Sequence, residues 1–431
     1  MSVPTHRSSF TPRRPYTTSA RVASRPATKV RVLSAETIVA GTFATCLFLQ
    51  RFAFPFGTLE ISVSTPIVLL LGLWGIHSGA LVIHRRRAAY FFGLCACAMM
   101  ATGLHATAPL AIAPRTSVPS LLYWLAVTGL VVLRFRVPMD EDRFFRIFTG
   151  IIDVVAVAGI AQFVAQFVGL SLFSFAHLVP SQLLIESQYN VAIPIFLYGT
   201  NAFKSNGFFL VEPSVFSQFM AIAVIVEWLL WRRLSRLVLY LTGLLVSVSG
   251  TGWLILCVFL VVLTFASGLL GSLRALGLAA ACVALLAVGS YVSPDIVGAL
   301  TGRLGEFTLQ GSSGYQRFVT PVLLVERVLD AAPWTFFTGI GPGASTKLLV
   351  PFFYNVDTPT KIFLEYGIGG FIFYLLLLLD ATRTATQWLL TGPLLVLLMF
   401  AGGYQEFSPV LFPVLMIGSV ALLQRRDQAR F

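Results

Sequence analysis

The segment Lys361-Ile-Phe-Leu-Glu-Tyr-Gly-Ile-Gly-Gly370 lies where a long charged stretch gives way to an apolar one. It follows the glycine-rich Thr338-Gly-Ile-Gly-Pro-Gly-Ala344, and both close a region, 293–365, that interrupts a succession of apolar runs. Over the whole chain 57% of the residues are hydrophobic and 11% are charged, whereas soluble domains carry about 25% charge. This contrast predicts a polytopic membrane protein with its polar chemistry concentrated in a few loops.

Apolar runs suited to crossing a bilayer, about 20 residues each, recur along the chain. They predict an all-α polytopic integral membrane protein with about 12 transmembrane helices. Residues 34–424 form the single transmembrane domain of this prediction, between a disordered basic tail (1–33) and a short tail (425–431), both cytoplasmic. We place the spans near 34–50, 61–83, 88–106, 118–135, 147–170, 210–231, 237–249, 252–269, 275–292, 367–382, 388–402 and 407–424.

The lysines and arginines assign the sides of the membrane. They cluster in both tails and on alternate connections, at Arg85–Arg87, from Arg134 to Arg146 and from Arg232 to Arg236. By the positive-inside rule, this pattern predicts an even number of spans with both termini in the cytoplasm. The net charge of +12 therefore follows topology, and no nucleic-acid partner is expected. An Arg- and Ser-rich tail poor in acids also occurs in organellar transit peptides, which is the alternative reading of residues 1–33.

Two long loops, 171–209 and 293–366, fall on the outer side. Their apolar patches, 193–197 and 319–329, are expected to form short helices at the interface or against the bundle. Cations are unexpected on this side and call for a reason. Six of them lie in these two loops: Lys204, Arg303, Arg317, Arg327, Lys347 and Lys361.

Phosphate binding is one such reason. Arg presents a planar fork that matches phosphate oxygens, and Lys acts as a mobile point charge. Pairing with nearby acids is the other reading, and Arg327 beside Glu326 and Asp330 is the clearest case. Gly341-Pro342-Gly343 is open to two readings as well: a phosphate-cradling turn, or a tight turn that needs glycine.

Further polar residues lie at or near the outer side. Glu212 opens a span, where it suits the helix dipole. Asp153 lies inside a span and is either functional or a hydrogen-bonded structural residue. Tyr404 and Glu406 occupy the last outer loop. The outer loops contain no HExxH motif, no Cys/His cluster and no paired carboxylates, so we expect neither a metal nor a soluble cofactor.

Three segments resemble the O-antigen ligase/polymerase superfamily of Wzy-type polysaccharide polymerases and their ligase relatives. Lys204-Ser-Asn-Gly-Phe-Phe-Leu-Val-Glu-Pro-Ser is similar to the family's "R/K-x-x-G-F-F-x-E-P-S" motif. Ser312-Ser-Gly-Tyr-Gln-Arg317 resembles the segment of the large periplasmic loop in which an arginine follows serine. Gly339-Ile-Gly-Pro-Gly343 and then Leu364-Glu-Tyr-Gly-Ile-Gly-Gly370 resemble its "GxGxG … E-x-G-x-x-G" ending.

The resemblance implies a glycosyltransferase C-like helical enzyme of the bacterial inner membrane. It would polymerise undecaprenyl-pyrophosphate-linked oligosaccharide repeats into exopolysaccharide, of a capsule or O-antigen-like kind, at the periplasmic face. A chain-length regulator and a flippase of the same pathway would be its partners. By motif position Lys204 and Arg317 would bind the pyrophosphate, with Arg303 and Lys361 as further contacts.

Ligases of the superfamily commonly place a histidine at the start of the last motif, whereas this chain has none in the large loop. This departure favours a polymerase. It leaves Asp357 as the first candidate for the general base and Glu365 as the second. The alternatives are a glycan ligase and a non-enzymatic lipid-glycan flippase or transporter, which would concentrate charges at mid-span.

Overall fold

The fold is described from a computed structural model of the 431-residue chain. The description covers residues 26–56, 59–107, 110–113, 115–137, 139–175, 178–185, 191–195, 202–266, 273, 275–284, 287, 308–310, 312–352, 354, 356–383 and 388–400. The predicted last span (407–424), the C-terminal tail, Arg303, Tyr404 and Glu406 lie outside these residues.

Helices dominate the described residues. They are α1 (Pro26–Phe48), α2 (Ser64–His77), α3 (Arg85–Thr107), α4 (Val118–Gly129), α5 (Glu141–Ala165), α6 (Pro213–Leu230), α7 (Leu234–Val246), α8 (Gly250–Ala266), α9 (Ala275–Ala284), α10 (Ser313–Phe318), α11 (Thr320–Ala331), α12 (Thr335–Thr338), α13 (Thr358–Arg383) and α14 (Trp388–Phe400). Two small antiparallel two-stranded sheets accompany them, β1 (Ala53–Phe56) with β2 (Leu59–Ser62) and β3 (Leu81–Ile83) with β4 (Leu133–Phe135).

Within the described residues, four helical stretches are long and apolar enough to cross a membrane: Arg85–Thr107, Glu141–Val168, Pro213–Leu230 and Thr358–Thr382. Each predicted span up to 388–402 overlaps a described helix, but several of these helices are shorter than a bilayer requires. The structure thus describes a mostly helical membrane protein, and the count of about 12 spans stays a prediction.

Helix ends differ from the sequence-based bounds where a capping residue sets them. Asp140 caps α5 through the backbone amide of Asp142, so this helix begins before the predicted 147. The predicted span 61–83 contains α2, but the chain then leaves the helix and enters β3. The helix α1 begins at Pro26, within the predicted basic tail.

The two apolar loop patches have different structures. Residues 319–329 fall almost entirely in α11, which confirms a short helix there. The prediction of a helix over 193–197 is wrong for its described part, because Pro194 pairs with Phe203 in an antiparallel bridge. The Ile195 amide donates to Ala202 and the Lys204 amide to Ile193, so backbone pairing across this loop takes the place of a helix.

Helices α3 and α13 lie against each other in opposite directions. A Cβ added at Gly93 would meet the ring of Phe373, and one added at Gly369 would lie 3.2 Å from Cys97 Sγ. At one end of the pair Arg87, with 3% of its side chain exposed, donates from Nε to Asp380 over 3.0 Å. A buried pair of this kind holds the two helices in register.

Helix α13 is broken at Gly367, whose φ of 66° and ψ of −174° lie in a region that only glycine readily adopts. The break leaves the carbonyls of Leu364 and Glu365 without helical partners. The glycine-rich turn supplies them: Ile340 donates to Leu364 and Gly341 to Glu365, over 2.7 and 3.0 Å. The two glycine motifs therefore form one structure, a turn that caps the first half of a broken helix.

Candidate functional site

A contact between Arg317 and Glu212 joins the large loop to the start of α6. Arg317 Nη2 lies 3.8 Å from Glu212 Oε2, and only 12% of the arginine side chain is exposed. Its other terminal nitrogen, Nη1, is buried and has no hydrogen-bond partner among the described residues. A buried donor without a partner costs about 1–3 kcal/mol. Arg317 therefore has a donor nitrogen available for a ligand at its contact with Glu212.

The start of α10 orients Arg317. Ser312 caps this helix, because its Oγ accepts from the Tyr315 amide over 3.1 Å. The helix ends at Phe318, and α11 follows at once with Pro321 in its first turn. The serine-then-arginine spacing is therefore one capped helical turn with Arg317 near its end.

Beside this arginine the N-termini of α6 and α8 lie together. A Cβ on Gly252 would come 2.4 Å from the Ser217 carbonyl, which shows how closely the two helices approach. Hydroxyl groups connect them: Ser217 Oγ lies 3.0 Å from Thr251 Oγ1, which lies 3.1 Å from Ser249 Oγ. Two aligned N-termini give a positive potential at this point, which favours an anion.

Glu212 belongs to the same group of residues. One of its oxygens accepts from Ser214 Oγ over 2.6 Å and is also the atom nearest Arg317. The sequence-based reading of Glu212, a carboxylate suited to the helix dipole, agrees with its place directly before Pro213. The structure adds that the same carboxylate is in reach of Arg317.

The Lys204 segment is held by a buried amide on α5. Gln162 Oε1 accepts from the Ser205 hydroxyl and from the amides of Asn206 and Phe208, and its Nε2 donates to the Asn206 side chain. The Ser205 amide donates to Val246 O, close to the start of α8. Lys204 itself is half-buried, and its convergence with Arg317 on one ligand stays a prediction.

Asp357 caps the first half of α13. Its Oδ1 accepts from the Thr360 amide over 2.7 Å, and 8% of the residue is exposed. Burial raises the pKa of Asp357 above its ordinary value, against the two hydrogen bonds from Thr360. Lys361 follows in the same turn and interacts electrostatically with Tyr123 of α4. The predicted loop residues Asp357 and Lys361 thus belong to a helix start.

Glu365 ends that half of the helix. Its carboxylate is buried and accepts from Ser345 Oγ over 2.5 Å. Its backbone carbonyl lies against the glycine-rich turn, where a Cβ on Gly339 would overlap it at 2.3 Å. The turn reading of Gly341-Pro342-Gly343 is sufficient to explain this motif, because its amides cap carbonyls of the chain itself.

Asp153 has protein partners. Arg236 Nη2 lies 2.7 Å from one oxygen, and the Tyr240 hydroxyl donates to the other over 2.6 Å. The pairing fits the structural alternative for this residue, a link between α5 and α7. Among the described residues no group of three His, Cys, Asp or Glu side chains could hold a metal ion.

Three polar positions have no signal in the sequence. Gln162 and His105 occur inside apolar helical runs, and Thr251 opens one. His105, in the last turn of α3, is 5% exposed, and within the described ranges neither of its ring nitrogens has a hydrogen-bond partner. Only a long-range contact distinguishes such residues from ordinary core residues.

Residues 81–374 match the model of a protein family described as WcaD colanic acid polymerase. The match spans more than half of the chain and contains α3 to α12 together with the first part of α13. No curated protein matches the chain.

Proposed function

Because this chain belongs to the WcaD colanic acid polymerase family, we propose that it joins lipid-linked oligosaccharide repeat units into an exopolysaccharide. The donor of this proposal is a glycan carried on undecaprenyl pyrophosphate, and the acceptor is a sugar hydroxyl of the next lipid-linked unit. The reaction takes place at the periplasmic face of the bacterial inner membrane. A flippase supplies the units, and a chain-length regulator acts beside the enzyme.

The observation that carries the proposal is the buried, unpartnered Nη1 of Arg317 beside two helix N-termini. When the sugar leaves its lipid, negative charge develops on the pyrophosphate. A fixed guanidinium and aligned helix dipoles stabilise that charge without reorganising. Glu212 keeps the arginine in place and is displaced or bridged when the pyrophosphate binds.

Further cations complete the donor side of the proposal. Lys204 lies on a segment bonded to the end of α7, next to the start of α8. Arg303 and Lys361 are additional contacts proposed from the large loop. On the acceptor side, Asp357 and then Glu365 are the carboxylates that could act as a base, and each is already hydrogen-bonded within the protein.

Deletion of the gene tests this assignment against its alternatives. A polymerase deletion leaves single repeat units on the lipid and stops long polymer. A ligase deletion leaves long chains on the lipid, and a flippase deletion leaves single units on the cytoplasmic face. Extraction and sizing of lipid-linked glycans, with sidedness read by labelling intact cells, separates the three. Unchanged polymer length would refute the proposal.

Site variants refine the same experiment. Arg317→Ala is expected to abolish polymer at normal protein level, and Arg317→Lys to recover little because an ammonium cannot form the bidentate contact. Arg327→Ala is the matched control, since this arginine of the same loop is exposed. Wild-type polymer from Arg317→Ala would remove Arg317 from the site.

A further inference from the structure

His105 is a buried titratable group to which the reaction described so far gives no role. It lies in the last turn of α3, and both of its ring nitrogens are shielded and have no hydrogen-bond partner in the part of the chain that the structure describes. A neutral imidazole has one donor and one acceptor, so two polar functions are unsatisfied on one ring. Such a residue is rare in a folded protein and calls for an external partner.

The surroundings of the ring place it at the last motif of the chain. A Cβ added at Gly341 would lie 3.4 Å from His105 Cβ and 2.6 Å from Thr116 Cγ2. Gly341 in turn donates its amide to the Glu365 carbonyl. The fold thus brings a histidine from α3 to the turn that caps the broken helix, although it is far from that turn in sequence.

Thr116, which is half-buried, lies beside Gly341, as His105 does. This end of α3 is opposite the end that carries Arg87 and Asp380, and it faces the same side as the start of α13. Glu365 on α13 is connected to this turn through its backbone carbonyl, and Arg115 precedes Thr116 in the sequence.

We infer that His105 is the proton acceptor for the attacking sugar hydroxyl. The hydroxyl gives its proton to the free ring nitrogen, and its oxygen forms the new bond to the anomeric carbon. The bond from that carbon to the pyrophosphate oxygen breaks, and the electron pair stays on the lipid pyrophosphate. The imidazolium then releases its proton to water.

Two properties favour His105 over the two carboxylates. Asp357 accepts from the Thr360 amide as a helix cap, and Glu365 accepts from Ser345. Both side-chain nitrogens of His105 lack a hydrogen-bond partner among the described residues. The ordinary pKa of an imidazole also lies nearer neutral pH than that of a carboxylate, which suits a general base.

The inference rests on the proposed polymerase function, and one assay separates the two. Full-length protein in phospholipid vesicles is given lipid-linked repeat units extracted from the deletion strain, and polymer and lipid pyrophosphate are measured. His105→Ala should slow polymerisation by about 100- to 10,000-fold with little change in the donor KM. Added imidazole should restore at least part of the rate, because it can occupy the vacated space.

His105→Gln keeps a polar side chain and guards against loss of folding. The variant should remain folded and polymerise more slowly. Its polymerisation rate should no longer show the fall at acidic pH that protonation of the imidazole causes. His77→Ala is the control, since His77 is exposed at the end of α2.

The possible results distinguish failure of the inference about His105 from failure of the proposed function. A normal rate in His105→Ala would overturn the inference. So would a loss of rate that imidazole does not restore, if His105→Gln keeps the fall in rate at acidic pH. Either result would leave the proposed polymerase function standing. Inactive wild-type protein would refute the proposed function itself, and the role of His105 with it.

Discussion

Gly339→Ala tests the central packing feature of the fold, the turn that caps the broken helix. Gly339 has φ 75° and ψ 178°, a conformation that costs other residues about 1–3 kcal/mol. An added Cβ would lie 2.3 Å from the Glu365 carbonyl oxygen, so the turn must move away. This movement breaks the bonds from Ile340 to Leu364 and from Gly341 to Glu365, at about 1 kcal/mol each.

These contributions predict a loss of about 3–5 kcal/mol in the free energy of unfolding. The assay is SDS titration of the purified protein in mixed micelles, followed by far-UV circular dichroism. Gly103→Ala is the matched control. Gly103 lies in α3 with no neighbour within 4 Å of its added Cβ, so alanine should be neutral or stabilise by up to about 1 kcal/mol.

A loss below 1 kcal/mol for Gly339→Ala would refute the reasoning, as would equal losses at Gly339 and Gly103. The first result would mean that the turn does not depend on the close approach of the two glycine motifs. The second would mean that any methyl group added to this bundle is destabilising. The same variant should also lose polymerisation, because Glu365 and the ring of His105 are held by this turn.

Three more predictions concern positions that hold the site in place. Asp380→Asn should lower the free energy of unfolding by about 3–5 kcal/mol, because it leaves the buried Arg87 without this carboxylate. SDS titration measures this loss, and a loss below 1 kcal/mol would show that the ion pair is dispensable. Burial raises the folded-state pKa of Asp357, so the unfolded chain loses its proton first, and stability should fall as pH rises from about 3.9 towards that raised value. Asp357→Asn should remove this pH dependence and keep the cap, whereas Asp357→Ala should lose about 1 kcal/mol; unchanged pH dependence in the Asn variant would contradict the assignment. Gln162→Leu should lower the free energy of unfolding by about 2–4 kcal/mol, because three donors lose their acceptor. The segment around Ser205 should then become sensitive to protease. Wild-type resistance to proteolysis would argue against the anchoring role of Gln162.

The positions of helices could be predicted from the sequence because hydropathy is a local property. The segment 210–231 became α6 almost residue for residue, and 88–106 became the centre of α3. Caps moved other ends: Asp357 starts α13 well before Gly367, where the apolar run begins. Short polar side chains fix helix starts, and their effect depends on which carbonyls and amides are left without partners.

The site was predictable only in part, because its geometry depends on contacts between distant segments. The residue types and motif order pointed to Arg317 and Lys204, but nothing local indicated that Glu212 would face Arg317. The two glycine motifs look independent in sequence, and only the break at Gly367 shows why one needs the other. His105 lies in an apolar run that gives it no distinguishing pattern.

The most direct test of the proposed donor site is lipid-pyrophosphate release by purified protein in vesicles supplied with lipid-linked repeat units. Wild-type protein and Arg327→Ala should release lipid pyrophosphate in step with a ladder of longer glycans. Arg317→Ala should release none above background, although it folds and inserts normally. Equal release and an equal ladder from Arg317→Ala would contradict the assignment of the buried Arg317 beside Glu212 to the leaving group.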